Sequence, residues 1–325
     1  MPEPGTIQRE RLVLKLNEIY HDLEGRGYDG KHPDILEEEI PRWRRFGSAA
    51  LDGVRPIRRV LDIGSGTGFV PLQLKEWLRP GDTLTCSDLS GGMLDVCRSN
   101  LERAGLACAL ATLKLDGRTV GLPDRSQDIV TLNAVLHHLP DPRDLCRDID
   151  RVLKPGGLVL IGHEPTRTHA DSRLLAINYW LLLPLADIKL FAYELILRLG
   201  LFEILRRPLS RFVPELREYN DLLAAVNAEL IASGTLTESL PAAEMSSLLD
   251  ANSPNAGGPQ KGRGFSRQVL SACFPGYTVE HCETYTHLGK MPLRRAWLRR
   301  YAAWLGKRLP ESGANIFCAL RKPVT

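Results

Sequence analysis

No segment of this 325-residue chain is apolar for long enough to cross a bilayer. The longest uncharged stretch, LLAINYWLLLPLA from Leu174 to Ala186, is too short and carries Pro184, so it reads as a buried or an interfacial helix. The opening MPEPGTIQRERLVLKLNEI places charges where a secretion signal has its apolar centre, so no such signal is expected. Neither sign of charge dominates: the net charge of +3 gives no reason to expect a nucleic-acid partner. The cysteines, at 86, 97, 108, 146, 273, 282 and 318, are odd in number and form no CxxC pair. They read as small buried hydrophobes and reduced thiols, which points to a reducing cytoplasm. No internal repeat and no low-complexity tract is present. What remains is an ordinary globular composition, 43% hydrophobic and 25% charged, and a length that suits one α/β domain with a sizeable insertion.

Helices are predicted over residues 7–23 and 34–51, joined by a Gly-rich link. Strand and helix signals then alternate. Short apolar strands are predicted at 59–63, 83–87, 108–115, 129–133 and 158–162. Between them run helices at 69–78, stopped by Pro80-Gly81, and at 144–153, stopped by Pro155-Gly156-Gly157. A third helix is capped by Ser90 and ends before Gly105, with Met93, Leu94, Cys97 and Leu101 on one face. Strands separated by single helices imply a parallel sheet with right-handed crossovers. After Pro165 the rhythm stops: residues 173–250 read as helical, 252–264 as a loop, and strands return at 277–285 and 316–320. The expected division is a helical cap at 1–52, a core at 53–165, a helical lid insertion at 166–264, and a completing segment at 265–325.

The first strand runs into VLDIGSGTGF, where Gly64, Gly66 and Gly68 alternate. In a doubly wound sheet this turn lies at the carboxyl end of the strands, where ligands bind. Phosphate is a poor fit. Phe69 stands where a dinucleotide fingerprint places its third glycine, and no GK[ST] follows. The acidic residues Asp62, Asp88 and Asp116 end the first three strands, with no Lys or Arg in the turns after Asp62 and Asp88. Carboxylates so placed suit a nucleoside that carries positive charge: Asp88 for the ribose hydroxyls, Asp116 for an adenine amino group, Asp62 for a cationic amine. A carboxylate at the helix N-terminus is the plainer role open to Asp88, and core packing is as apt for Met93 as ligand contact.

Four segments in order, VLDIGSGTG, CSDLSGGML, LPDRSQDIVTLNAVLHHLPD and RVLKPGGLVLIGHEP, resemble the motifs of the class I S-adenosylmethionine-dependent methyltransferases. The resemblance covers Arg59 to Pro165, with Tyr277 to Leu320 as the closing strands. It implies a doubly wound, seven-stranded Rossmann-like α/β sheet whose seventh strand is antiparallel between the fifth and sixth, with the lid inserted between strands five and six. It also implies S-adenosylmethionine as cofactor. The turn Gly64, Ser65, Gly66 and Gly68 would admit its close approach, and Asp62 would serve its amino group. Asp88 would bind the ribose, with Leu89 and Met93 near adenine, while Asp116 and the backbone of Gly117 would read the adenine edge. Asn133 would offer its backbone carbonyl to the methionine amino group.

Methyl transfer from a sulfonium needs alignment and exclusion of water above all; a base is needed only for some acceptors. His137 and His138 follow the fourth strand, and His138 is the first candidate base. The competing reading is that the pair caps its own loop beneath the lid. His163 and Glu164 end the fifth strand at the same edge, where Glu164 would orient an acceptor or hold His163 or a lid residue. No HExxH spacing supports a metal, and none is expected. Tyr20, Tyr28 and His32 belong to a segment that closes over the cofactor in similar enzymes. In the insertion, Tyr179, Trp180, Phe191, Tyr193 and Phe202 would either line a pocket for a small hydrophobic acceptor or bury a helical hairpin on the core. Residues 290–308 carry seven basic and no acidic side chains, with Leu293, Trp297, Tyr301 and Trp304 at helical spacing. That pattern suits peripheral membrane contact, an acidic partner, or a packed helix with a solvated basic face. Protein or nucleic-acid methylation is the second reading. NAVLHH replaces the [DN]PP[YFW] motif of one nucleic-acid class. A scaffold that kept the fold would be expected to have lost Asp88, and an oxidoreductase is disfavoured by Phe69. Oligomeric state is left open.

Overall fold

The computed structural model describes residues 4–25, 33–52, 58–117, 119–201, 204, 205, 208, 210, 211, 213–254 and 263–324. Tyr28, His32 and Phe202 lie outside them, as does most of the loop expected at 252–264. Helices α1 (Pro4–Glu24) and α2 (Pro33–Asp52) come first. Then β1 (Arg59–Ile63), α3 (Phe69–Leu74), β2 (Thr83–Asp88), α4 (Gly91–Ala104), β3 (Ala109–Lys114), β4 (Gln127–Asn133), α5 (Arg143–Val152) and β5 (Leu153–Pro165) alternate. The sheet is completed by β6 (Thr278–Tyr285) and β7 (Asn315–Arg321).

The seven strands form one sheet in the order β3-β2-β1-β4-β5-β7-β6. The first five are parallel, and β7 is antiparallel to both β5 and β6. This is the doubly wound, seven-stranded sheet expected from the motifs, with its strand order reversing between β1 and β4. Alternation of side chains divides the core in two. Leu61, Ile63, Val130, Leu132, Val159 and Ile161 face α5. Val60, Leu84, Ile129, Leu158 and Leu160 face the opposite layer, with Trp43 of α2 and Cys97 and Leu101 of α4. At the amino end of β1 the fully buried Arg58 and Asp82 form an ion pair of 2.6 Å.

Between β5 and β6 stand α6 (Arg167–Ala170), α7 (Arg173–Ala186), α8 (Ile188–Arg198), α9 (Pro214–Ala232), α10 (Ala242–Leu249) and α11 (Arg267–Cys273). Helix α12 (Ala296–Arg308) links β6 to β7. The inserted helices go two ways. Leu223, Val226, Leu230, Met245 and Leu248 pack on Val13, Leu16 and Ile19 of α1. Leu175 and Leu183 instead pack with Leu288, Met291, Leu298 and Leu305 around α12.

One cysteine reading is revised. Strand register sets Cys282 opposite Cys318, with Cα atoms 4.2 Å apart, and the two are disulfide-bonded rather than reduced thiols. Cys86, Cys97, Cys108, Cys146 and Cys273 are free. Among the described residues, no helix is long and apolar enough to cross a membrane.

Candidate active site

The carboxyl ends of β1, β2 and β4 open into a cleft with about 1180 Å³ of space free of protein atoms, counted out to its mouth. Its floor is the glycine turn. Gly64 has φ +67°, and a side chain there would strike Val135, its Cβ falling 2.4 Å from a Val135 methyl carbon. Gly66, at φ +50°, meets nothing within 4 Å in the direction of a Cβ. That space faces the cleft and would be lost to any larger residue. Ser65 is buried, its hydroxyl donating to the Asp62 carbonyl and accepting from the Ser87 amide. Gly68 lies outside the cleft lining: it caps α3 and lets Cys97 of α4 approach closely.

Asp88 lies on the cleft wall, with Leu89 and Met93 beside it. Its Oδ2 accepts from the Gly66 amide and its Oδ1 from the Ser90 amide, both at 2.9 Å. Burial raises its pKa, and the charge of Asp22 adds to the rise; the two amide bonds oppose it. The carboxylate therefore fixes the glycine turn while each oxygen keeps a further lone pair. Asp22 accepts from Ser90 Oγ and the Gly92 amide and so ties the end of α1 to the start of α4.

Two of the expected acids sit elsewhere. Asp62 is buried beneath the turn rather than on the cleft wall. It accepts from Thr131 Oγ1, and its Oδ2 has no hydrogen-bond partner. Burial is the main cause that pushes its pKa up to about 7. Asp116 turns back to accept from the amide and hydroxyl of Thr119; Leu115, Gly117 and Thr119 line the cleft in its place. Asn133 does line it, its side-chain oxygen held by the Trp43 indole N–H at 2.8 Å.

The histidines separate. Glu164 is fully buried and accepts from the amides of Val135, Leu136 and His137 as well as facing His137 Nδ1 at 2.9 Å. Its hydrogen bonds go to Val135 and to the 3₁₀ turn Leu136–His138, so His163 is not among its partners, and it is not part of the cleft lining. Burial disfavours charge on His137, but Glu164 and then Asp250 outweigh this and hold its pKa above the ordinary value. His137 is off the cleft wall, its Nε2 3.8 Å from Asp250. His138 is on the wall. Its Nδ1 lies 2.8 Å from the Leu249 carbonyl and must carry the proton there, which leaves Nε2 with a lone pair. Burial, then the neighbouring His137, lowers its pKa. His163 pairs with Glu39 of α2 at 3.0 Å and is also off the wall.

The described aromatic residues of the insertion lie away from the cleft. Tyr179 and Phe191 pack around α12, Trp180 packs edge-on against Phe191, and none of these or Tyr193 lines the cleft. Helix α1 covers it instead, through Asn17 and His21. Asn17 is 2% exposed, donates to Val13 O and Leu249 O, and has no hydrogen-bond partner for Oδ1. Its signal in the sequence is slight: two polar residues one helical turn apart on a face otherwise made of Val13, Leu16 and Ile19.

Sheet order, glycine turn and Asp88 together define a class, and the comparisons agree with it. Residues 61–161 match the family model described as "Methyltransferase domain". The segment is thus a class I S-adenosylmethionine-dependent methyltransferase domain. The chain is 34% identical over 156 residues to the ubiquinone/menaquinone biosynthesis C-methyltransferase UbiE of Ectopseudomonas mendocina (strain ymp), covering 48% of this chain and 60% of that protein. It is 30% identical over 157 residues to the protein of the same name from Vibrio vulnificus (strain YJ016), covering 48% and 59%. The chain thus spans about three-fifths of the length of these curated relatives. A solved S-adenosylmethionine-dependent methyltransferase of Methanosarcina mazei aligns over 84% of this chain and 96% of its own, at 14% identity and a TM-score of 0.44.

Proposed function

We propose that this chain moves a methyl group from S-adenosylmethionine to a small apolar acceptor. One observation carries the reading: among the described residues that line the cleft, Asp88 is the sole charged side chain, and it stands over the open Gly66 in a wall of Ile63, Phe69, Leu89, Met93, Val135 and Leu139. A phosphorylated or strongly acidic acceptor would find no Lys or Arg among those described residues. The residues fit the cofactor: Gly66 leaves room for close approach, Asp88 can accept a ribose hydroxyl, and Asn17 Oδ1 is a buried acceptor without a donor. When bound, S-adenosylmethionine supplies a methyl carbon on a positively charged sulfur. The curated relatives are named for ubiquinone and menaquinone biosynthesis, which makes a quinol-like ring one acceptor to try.

The protein's part is then to align and to exclude water. Helix α1 closes the cleft from above, and Asp22 fixes its end. His138 is the proton acceptor on the wall, held neutral by its burial and by His137. Glu164 and His137 position it by locking the turn that carries it. The test is transfer of labelled methyl to lipid-soluble phenols, quinols and amines, read in the organic phase, with His138→Gln beside wild type. Label in the organic phase, lost in His138→Gln while cofactor binding persists, is the expected result. Label found in added protein or RNA and absent from every apolar acceptor contradicts the proposal.

A further inference from the structure

Among the described residues, the insertion leaves an apolar surface uncovered. On and just beyond α7, Leu174, Ile177, Leu181, Leu185 and Ile188 follow one another at steps of three and four and are 55–65% exposed. Leu195, Leu197 and Leu199 continue the exposure through the end of α8. The other side of α7 holds Leu175 and Leu183, already buried against α12. Tyr301 of α12 donates to Asn178 of α7 at 3.1 Å, so hairpin and basic helix form one unit. On α12, Trp297 and Trp304 are exposed among Arg294, Arg295, Arg299, Arg300, Lys307 and Arg308, themselves all exposed. The two acids of the hairpin are engaged: Asp187 caps α8, and Glu194 hydrogen-bonds with Tyr179.

We infer that α7, α8 and α12 dock this protein onto the surface of an anionic phospholipid bilayer. Exposed leucines in a stripe suit the acyl boundary, tryptophans the headgroup level, and an unbroken basic helix the anionic headgroups. No described helix is long and apolar enough to cross the bilayer. A second copy of the chain is a poorer occupant, because a two-fold contact around this face would bring two basic helices together. The inference does not need the methyltransferase reading, although a lipid-soluble acceptor would be met at the same surface.

The test is cosedimentation of the full chain with phosphatidylcholine vesicles with and without phosphatidylglycerol, in the absence of cofactor. Binding to the phosphatidylglycerol vesicles, weakened by salt, is expected. Ile177→Asp with Leu181→Asp should lower the partition coefficient at least about tenfold, with an unchanged circular dichroism spectrum, because both side chains are already in solvent. Arg294→Glu, Arg295→Glu and Arg300→Glu together should lower it about a hundredfold on anionic vesicles. Absence of vesicle binding overturns the inference. So does a dimer that the Ile177→Asp, Leu181→Asp variant dissociates, with wild type bound to no vesicle. Cofactor binding, read separately by calorimetry, decides the methyltransferase reading alone.

Discussion

Helices α4 and α7 are both 14 residues long, and they dispose of their apolar side chains in opposite ways. In α4 the long apolar side chains find the core: Met93, Leu94 and Leu101 are buried with Cys97, Val96 is half-buried, and Asp95, Arg98, Glu102 and Arg103 face water. In α7 just Leu175 and Leu183 are buried, while Leu174, Ile177, Leu181 and Leu185 stand in solvent. The first helix is explained by the sheet it covers. The second is explained by something outside the fold. The core segment holds the glycine turn and Asp88 on the sheet; the appended hairpin is the part for which a membrane address is proposed.

That contrast can be broken at several strengths. The largest effect belongs to the core. Asp82→Ala leaves Arg58 charged and buried without its carboxylate, and should cost about 3–5 kcal/mol in urea unfolding. A cost near zero would mean that this end of the sheet is as loosely held as the hairpin.

Next comes a pH effect at Asp62. Its folded pKa of about 7 exceeds the ordinary 3.8, so folding takes up a proton between these values. Stability from this group is greatest below the unfolded value and falls as pH rises toward the folded one. The loss is roughly 4 kcal/mol at most, at about 1.4 kcal/mol per pH unit. Asp62→Asn should flatten that fall; unfolding curves of both proteins from pH 4 to 8 measure it. Identical slopes would show that Asp62 stays ionised in the fold.

Gly64→Ala ranks third. A Cβ at φ +67° meets Val135, and overpacking of this kind costs about 1–3 kcal/mol. Replacing Val135 by Ala in the same chain should restore part of it, which thermal unfolding of the single and double variants reads. The smallest effect is on the hairpin: Leu181→Asp should change stability by no more than about 0.5 kcal/mol, since the side chain is 65% exposed. A loss as large as that of Asp82→Ala would erase the distinction between the two regions.

The same contrast governs what could be read from the residues alone. Where a local rule is at work, sequence and structure agree: Ser90 caps α4 by accepting from the Met93 amide, and Gly105 ends it in the left-handed conformation. Boundaries moved where pairing overrode local signals. Strand β5 begins at Leu153 because that residue already pairs with Gln127, although the Pro-Gly-Gly run reads as a breaker. Helix α3 stops at Leu74 rather than running to residue 78. In the cleft, the glycine turn and Asp88 are set by one βα unit and its neighbour, so they were visible. Asp116 and Glu164 end strands at the ligand-facing edge, which makes Asp116 a candidate for the adenine and leaves Glu164 open to an acceptor, His163 or the lid. Their hydrogen bonds to Thr119 and to the 135–137 amides depend on loop paths that spacing does not encode. Asn17 and His21 needed the placement of α1 across the cleft. The aromatic run of the insertion announced a hydrophobic purpose, but not on which side of the molecule it would be served.

The central claim is that the cleft between the glycine turn and α1 holds S-adenosylmethionine through Asp88. Titration calorimetry of wild type and Asp88→Ala with S-adenosylmethionine and S-adenosylhomocysteine tests it most directly. Saturable binding of both by wild type, weakened at least about tenfold in a folded Asp88→Ala, is the predicted result. Equal affinity in the two proteins, or no heat of binding from folded wild type, would contradict it.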